Sequence, residues 1–119
     1  MQKLIFIVDD NDTNLTITTL ILDEEYRVLT MSSAEKMFSL LEKKRPDLIL
    51  LDIEMPQMDG FKAIKKLQEN PEWKDIPVIF LTGLCDEQLL QTARKSGALD
   101  IISKPILPQV LLNCIKKYL

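Results

Sequence analysis

Four short apolar runs recur along the chain, and each leads into a residue that can carry charge or donate a hydrogen bond. Leu4-Ile5-Phe6-Ile7-Val8 leads into Asp9-Asp10, Leu48-Ile49-Leu50-Leu51 into Asp52, and Val78-Ile79-Phe80-Leu81 into Thr82. Ile101-Ile102-Ser103 leads into Lys104-Pro105. Short apolar runs without polar alternation predict strands covered on both faces, as in a parallel sheet between helices. The intervening segments have helical spacing. Ala34, Met37, Phe38 and Leu41 recur at i, i+3, i+4 and i+7, as do Leu111, Cys114, Ile115 and Tyr118, giving one apolar stripe per helix. A first helix is expected from about Asp12 to Asp23 with Ile17, Leu20 and Ile21 turned inward. The more polar Tyr26–Met31 stretch predicts an edge strand.

The boundary residues agree with this alternation. Ser32-Ser33-Ala34-Glu35 reads as a capping box, and Lys43-Lys44-Arg45 places cations at the far end of the same helix before Pro46 stops it. Asp59-Gly60 can open a third helix that ends by Asn70-Pro71. Asp86 can cap a fourth that ends at Gly97, and Pro108 suits the first turn of a fifth. Five β-α units predict one doubly wound α/β domain over residues 1–119, with a flavodoxin-like parallel sheet in the order 2-1-3-4-5. A free-standing domain and the first domain of a longer protein both fit that length.

Composition then removes several kinds of chemistry. The chain has no histidine, so Ser-His and Cys-His pairs and imidazole metal sites are excluded. Three glycines leave no room for a phosphate-cradling glycine-rich loop. Cys85 and Cys114 lack metal-ligand spacing and are expected as reduced cytoplasmic thiols, Cys114 as part of the core. Fifteen basic against eighteen acidic residues give a net charge of −3, so no direct nucleic-acid contact is expected, and Lys43-Lys44-Arg45 reads as a helix end. No run approaches a membrane span, and no signal-peptide layout is present. Trp73, between Pro71 and Pro77, is expected to pack in a loop.

The chemistry therefore lies at the strand ends. In an open parallel sheet ligands bind outside the carboxyl ends, where the strand order reverses. Here the reversal lies between the first and third strands, which end in Asp9-Asp10 and Asp52. Three crowded carboxylates suit a hard divalent cation such as Mg²⁺, which takes a few carboxylate oxygens, keeps water and leaves room for a phosphate oxygen. Acidic residues after a strand also serve as helix caps, and Asp10 or Asp12 could do so for the first helix. Asp52 is harder to read that way, because no helix begins before Asp59-Gly60. Lys104, held by Pro105, can reach a negative group across the strand ends.

Taken together, Asp9-Asp10, the stretch from Asp52-Ile53-Glu54-Met55-Pro56 to Met58-Asp59-Gly60, Thr82 and Lys104-Pro105 resemble the receiver domains of two-component response regulators over essentially the whole chain. The resemblance implies a phosphoacceptor switch in a cytoplasmic phosphorelay. Asp52 would take a phosphoryl group from a sensor histidine kinase or a histidine phosphotransfer protein. Asp10, Asp52 and the backbone carbonyl of Glu54 would hold Mg²⁺, with Mn²⁺ as a substitute, and Asp9 would help through water. Thr82 and Lys104 would contact the phosphoryl oxygens. No activity beyond its own phosphorylation and slow dephosphorylation is implied. Asn70-Pro71-Glu72-Trp73 resembles receivers joined to cyclic-dinucleotide enzymes.

A carboxylate nucleophile, a cation and an ammonium form a competent set for phosphoryl transfer. The added charge would draw Thr82 inward, reshape the loop through Gly83 and Leu84, and be read out on the fourth helix, fifth strand and fifth helix, from about Asp86 to Tyr118. That face would meet an output domain or partner, with a phosphorylation-dependent dimer as one outcome. One departure stands out: the family commonly has an aromatic residue three before the lysine, whereas this chain has Ile101, which is stiff about χ1 and has no ring to swing. Glu54 and Leu84 occupy positions that the family uses to tune phosphate lifetime. Two other readings compete. A receiver-like interaction domain that is not phosphorylated is favoured by Ile101 and opposed by the complete acidic set. A Mg²⁺-dependent aspartate-nucleophile phosphohydrolase would use Glu54 as its second acid, two residues after Asp52, but lacks a substrate-specificity cap.

Overall fold

A computed structural model describes residues 2–83 and 86–119. Met1, Leu84 and Cys85 lie outside the described residues, and with them the expectations for Leu84 and the Cys85 thiol. Strands and helices alternate as β1 (Leu4–Val8), α1 (Asp12–Leu22), β2 (Arg27–Met31), α2 (Ala34–Leu41), β3 (Leu48–Asp52), α3 (Gly60–Gln68), β4 (Val78–Thr82), α4 (Glu87–Lys95), β5 (Asp100–Ser103) and α5 (Pro108–Tyr118). The strands form one parallel sheet in the order β2-β1-β3-β4-β5, as the alternation predicts.

Alternation along each strand divides the core into two layers. Ile5, Ile7, Leu48, Leu50, Ile79, Leu81 and Ile102 face α1 and α5, against Leu15, Leu22, Leu111 and Ile115. Phe6, Val8, Ile49, Leu51, Val78 and Phe80 face the other way, against Met37, Phe38, Leu41, Ala63, Ile64, Leu67 and Ala93 of α2, α3 and α4. Every residue of β3 and β4 is buried, whereas β2 exposes Arg27 and Thr30, as befits an edge. Trp73 closes the second layer against Phe38, ring centroids 5.6 Å apart. Register levels the strand ends: Val8 lies beside Leu51, Leu51 beside Phe80, and Thr82 beside Ser103.

Two local expectations are corrected. Ile21 packs against the core as expected, but the buried face of α1 is Leu15, Thr18 and Leu22, whereas Ile17 and Leu20 are 43% and 67% exposed. The reason is Thr18, whose hydroxyl donates to the Asn14 carbonyl one turn back at 2.8 Å, so a nominally polar residue enters the core with its hydrogen bond made. The helix thereby turns its Leu15–Leu22 stripe inward. At α2 the capping box does not form. Ser33 is the N-cap and accepts from the Lys36 amide at 3.2 Å, which leaves Glu35 one residue too early to return the bond.

The assignment of the α1 face is measurable. Leu22→Ala should cost about 2–4 kcal/mol of unfolding free energy in urea melts, because the site is closed on all sides. Leu20→Ser should change stability by no more than about 0.5 kcal/mol. The reverse ranking would place the helix the other way round.

Candidate functional site

The level strand ends bring the expected residues into one cleft. Asp9 directly follows β1, Asp52 and Thr82 are the last residues of β3 and β4, and Lys104 directly follows β5. Asp9, Asp52 and Thr82 are almost wholly buried, while Asp10 is exposed. Asp9, Asp10 and Asp52 each offer a carboxylate oxygen, and these oxygens lie within 4.8 Å of one another. Lys104 Nζ sits 2.8 Å from Asp9 Oδ2 and 3.3 Å from Asp52 Oδ2. The peptide bond between Lys104 and Pro105 is cis, and the Lys104 amide donates to the Thr82 carbonyl at 2.7 Å.

The local chain explains why these groups are available. The N-cap of α1 is neither Asp10 nor Asp12 but Asn11, whose side chain accepts from the Asn14 amide at 3.0 Å. Asp10 is thereby left out of the cap. Asp9 is oriented by the Asn11 amide, which donates to Oδ1 at 2.9 Å. Its Oδ2 forms the ion pair with Lys104 and meets no further donor among the described residues, so this buried oxygen keeps acceptor capacity. Gly60 brings α3 against the end of β3. A Cβ there would fall 2.8 Å from the Asp52 carbonyl oxygen and 2.8 Å from Ile53 Cα, so only glycine allows the approach. Beside it, Phe61 packs edge-on against Phe80 at 5.4 Å.

Electrostatically the cleft is strained. Desolvation, and after it the charge of Asp9, pushes the Asp52 carboxyl from its ordinary 3.8 up to about 7, against the opposing pull of Lys104 and the Glu54 amide. For Lys104, burial works against the ammonium, but contact with Asp9 and the charge of Asp52 outweigh it, and the pKa is raised. Three carboxylates face one ammonium. An oxygen-rich donor set, whose buried Asp9 Oδ2 meets no donor but the Lys104 ammonium among the described residues, fits a hard divalent cation.

Sequence reasoning missed how Glu54 uses its side chain. Its amide donates to Asp52 Oδ1 at 3.2 Å. Its carboxylate turns toward β4, where Oε1 accepts from the Thr82 hydroxyl at 2.9 Å and from the Gly83 amide at 3.1 Å. The only sequence signal was spacing, two residues past Asp52; a backbone donor such as Gly83 leaves none. Ile101 is half-buried, registers with Phe80 and packs on the α2–α4 side of the sheet. Outside the cleft, Cys114 is half-buried in α5, and burial together with Asp100 pushes its thiol up to about 11, which disfavours the nucleophilic thiolate.

Comparison with known proteins follows the same lines. Residues 5–116 match the response regulator receiver domain family. The polar-differentiation response regulator DivK of Brucella anthropi is 33% identical over 120 residues, covering 100% of this chain and 98% of DivK. A protein of Vibrio cholerae named as a probable cyclic di-GMP phosphodiesterase is 35% identical over 118 residues, covering 99% of this chain but 27% of that protein. The chain thus spans nearly all of one relative and about a quarter of another. Among solved structures, the chemotaxis protein CheY4 of Vibrio cholerae has a TM-score of 0.93 at 27% identity, with both chains covered in full.

The raised Asp52 pKa makes stability depend on pH in an unusual direction. Between about pH 4 and pH 7 the folded chain holds a proton on Asp52 that the unfolded chain has released, so stability falls as pH rises through that window. In urea melts with chelator present, Asp52→Asn should gain stability over the parent, by roughly 1–3 kcal/mol more at pH 8 than at pH 4. An equal difference at both pH values would mean that Asp52 is ionised without strain.

Proposed function

The chain belongs to the response regulator receiver domain family, and from this premise we infer that it is a phosphoacceptor switch in which Asp52 is the residue phosphorylated. The observation that carries this reading is the Lys104 ammonium set between Asp9 and Asp52, 3.3 Å from the Asp52 oxygen. An Asp52 oxygen attacks phosphorus, and an aspartyl phosphate forms as the P–N bond of a donor phosphohistidine breaks. The departing imidazole nitrogen keeps the electron pair and takes up a proton. Lys104 offsets charge gathering on the transferring group, and Asp9 holds Lys104 in position. Asp10, Asp52 and the Glu54 carbonyl are the residues that would hold Mg²⁺ or Mn²⁺, with Asp9 acting through water. The bound cation supplies electrostatic stabilisation of the phosphoryl oxygens.

The donor is a histidine kinase or a histidine phosphotransfer protein, met in the cytoplasm. The response runs through Thr82 and Lys104 into α4, β5 and α5, the face offered to an output domain, a partner or a second copy. Among the described residues no helix is long and apolar enough to cross a membrane. The phosphohydrolase reading loses its main support, because the Glu54 carboxylate is committed to Thr82 and Gly83.

Incubation with Mg²⁺ and acetyl phosphate, followed by intact mass, tests the assignment. The parent should gain one phosphate and Asp52→Asn none; full incorporation in Asp52→Asn would rule out the site. Lys104→Ala should slow uptake by about tenfold or more, the loss of one charge-assisted contact, while tightening Mg²⁺ because the acidic cluster loses its counter-charge. Normal uptake with an unchanged Mg²⁺ titration would show that Lys104 has no part in transfer. Thr82→Ala should still take up phosphate but with a flattened response of backbone amide shifts in α4 and β5.

A further inference from the structure

Glu54 is a solvent-exposed residue, yet it does not extend into water. A free glutamate side chain has many rotamers, and holding it in one conformation needs compensation. Here the compensation is a pair of hydrogen bonds to one oxygen, from the Thr82 hydroxyl at 2.9 Å and the Gly83 amide at 3.1 Å. Both bonds have an ionised acceptor, which makes them the strong kind. They span the gap between the end of β3 and the end of β4, next to the point where Asp52 pairs with Leu81.

We propose that Glu54 is an internal anionic competitor. Its carboxylate occupies, in the unphosphorylated domain, the two donors that a phosphoryl group on Asp52 takes over. The inference rests on the reading of Asp52 as the phosphoacceptor. Its physical core is donor stoichiometry: a threonine hydroxyl and a backbone amide each have one hydrogen to give. Served to Glu54, they are withheld from the phosphoryl oxygens. The phosphoryl group carries more charge than a carboxylate and offers three acceptor oxygens, so once attached it wins the exchange, and like charge drives Glu54 outward. Gly83 has open space where a side chain would be, so no packed side chain has to move when its amide changes partner.

Two consequences follow. Glu54 holds the β3 and β4 ends together at rest and so stabilises the unphosphorylated arrangement. A switch between two states responds only to differential interaction, and Glu54 supplies part of that difference from the resting side. In a chain with Ile101 in place of a swinging ring, this exchange of anions at Thr82 takes the place of a rotamer relay. Glu54 is thus a positioning residue that acts through Thr82 and Gly83. Its side chain is separable from its backbone carbonyl, which every substitution retains.

The test is a double-mutant cycle on the whole chain, comparing the parent, Glu54→Ala, Thr82→Ala and the double variant at saturating Mg²⁺. Beryllofluoride affinity is read from amide shifts, and acetyl phosphate uptake from intact mass. Glu54→Ala should bind beryllofluoride and take up phosphate roughly three- to tenfold better than the parent, the scale of one or two released hydrogen bonds. On the Thr82→Ala background the same substitution should give less than half that gain. The Gly83 amide of Glu54→Ala should also be shifted before any phosphoryl mimic is added. Equal or weaker beryllofluoride binding by Glu54→Ala, in a parent that is itself phosphorylated, overturns the competitor while leaving the Asp52 reading intact. A gain that is the same with and without Thr82 overturns it too, since Glu54 would then act as a remote charge. A parent that neither takes up phosphate nor binds beryllofluoride removes the reading and the competitor with it.

Discussion

The pairing of one ammonium with two buried carboxylates governs this molecule. Asp9 and Asp52 are held almost entirely out of water at adjacent strand ends, and two such charges are untenable there without compensation. Lys104 supplies it from the far side of the sheet, since β3 and β4 lie between β1 and β5. Its reach succeeds only because the register levels the strand ends. A one-residue slip in any strand pair would move an end by about 3 Å and turn its side chains to the other face. The polar cleft thus depends on the same registers that interleave the two apolar layers.

Compensation is incomplete, and the remainder is chemically useful. Asp10 adds a third carboxylate at the mouth, so negative charge remains in excess even with Lys104 in place. Burial first, and the charge of Asp9 after it, push the Asp52 carboxyl up to about 7. A structure selected only for stability would relieve it, and one that must attract a divalent cation and then a phosphoryl group has reason to keep it. The core around it can bear the load. Strands β3 and β4 are buried along their full length, and the helices pack on both faces.

The cleft also connects outward through few atoms. Thr82 gives its carbonyl to the Lys104 amide and its hydroxyl to Glu54, so one residue joins the ends of β3, β4 and β5. A change of charge at Asp52 therefore meets a hydrogen bond, already present, that leads from Thr82 to the residue after β5. Ile101, fixed beside Phe80, adds packing to this path without adding a rotamer.

Much of this was legible in the residue order. Apolar runs that end in Asp9, Asp52, Thr82 and Lys104 specify strands and the chemistry at their ends, because alternation, capping and strand burial are local properties of a chain. The helices at Asp59-Gly60 and Asp86 begin where their capping residues stand, and the fifth begins at Pro108, whose ring suits the first turn, for the same reason. What was not legible depends on contacts between distant residues or on the bonding of a single side chain. Ile17 and Leu20 looked as suitable for the core as Leu15 and Leu22 until the hydroxyl of Thr18 found the Asn14 carbonyl. Asn11 took the cap that Asp10 or Asp12 could have held. Glu54 and Thr82, twenty-eight residues apart, meet only because β3 and β4 are neighbours, and their bond requires one rotamer among many. Periodicity and local hydrogen bonding decided the elements and which residues stand at their ends; the register of the sheet and the choice of rotamers decided which of those residues touch.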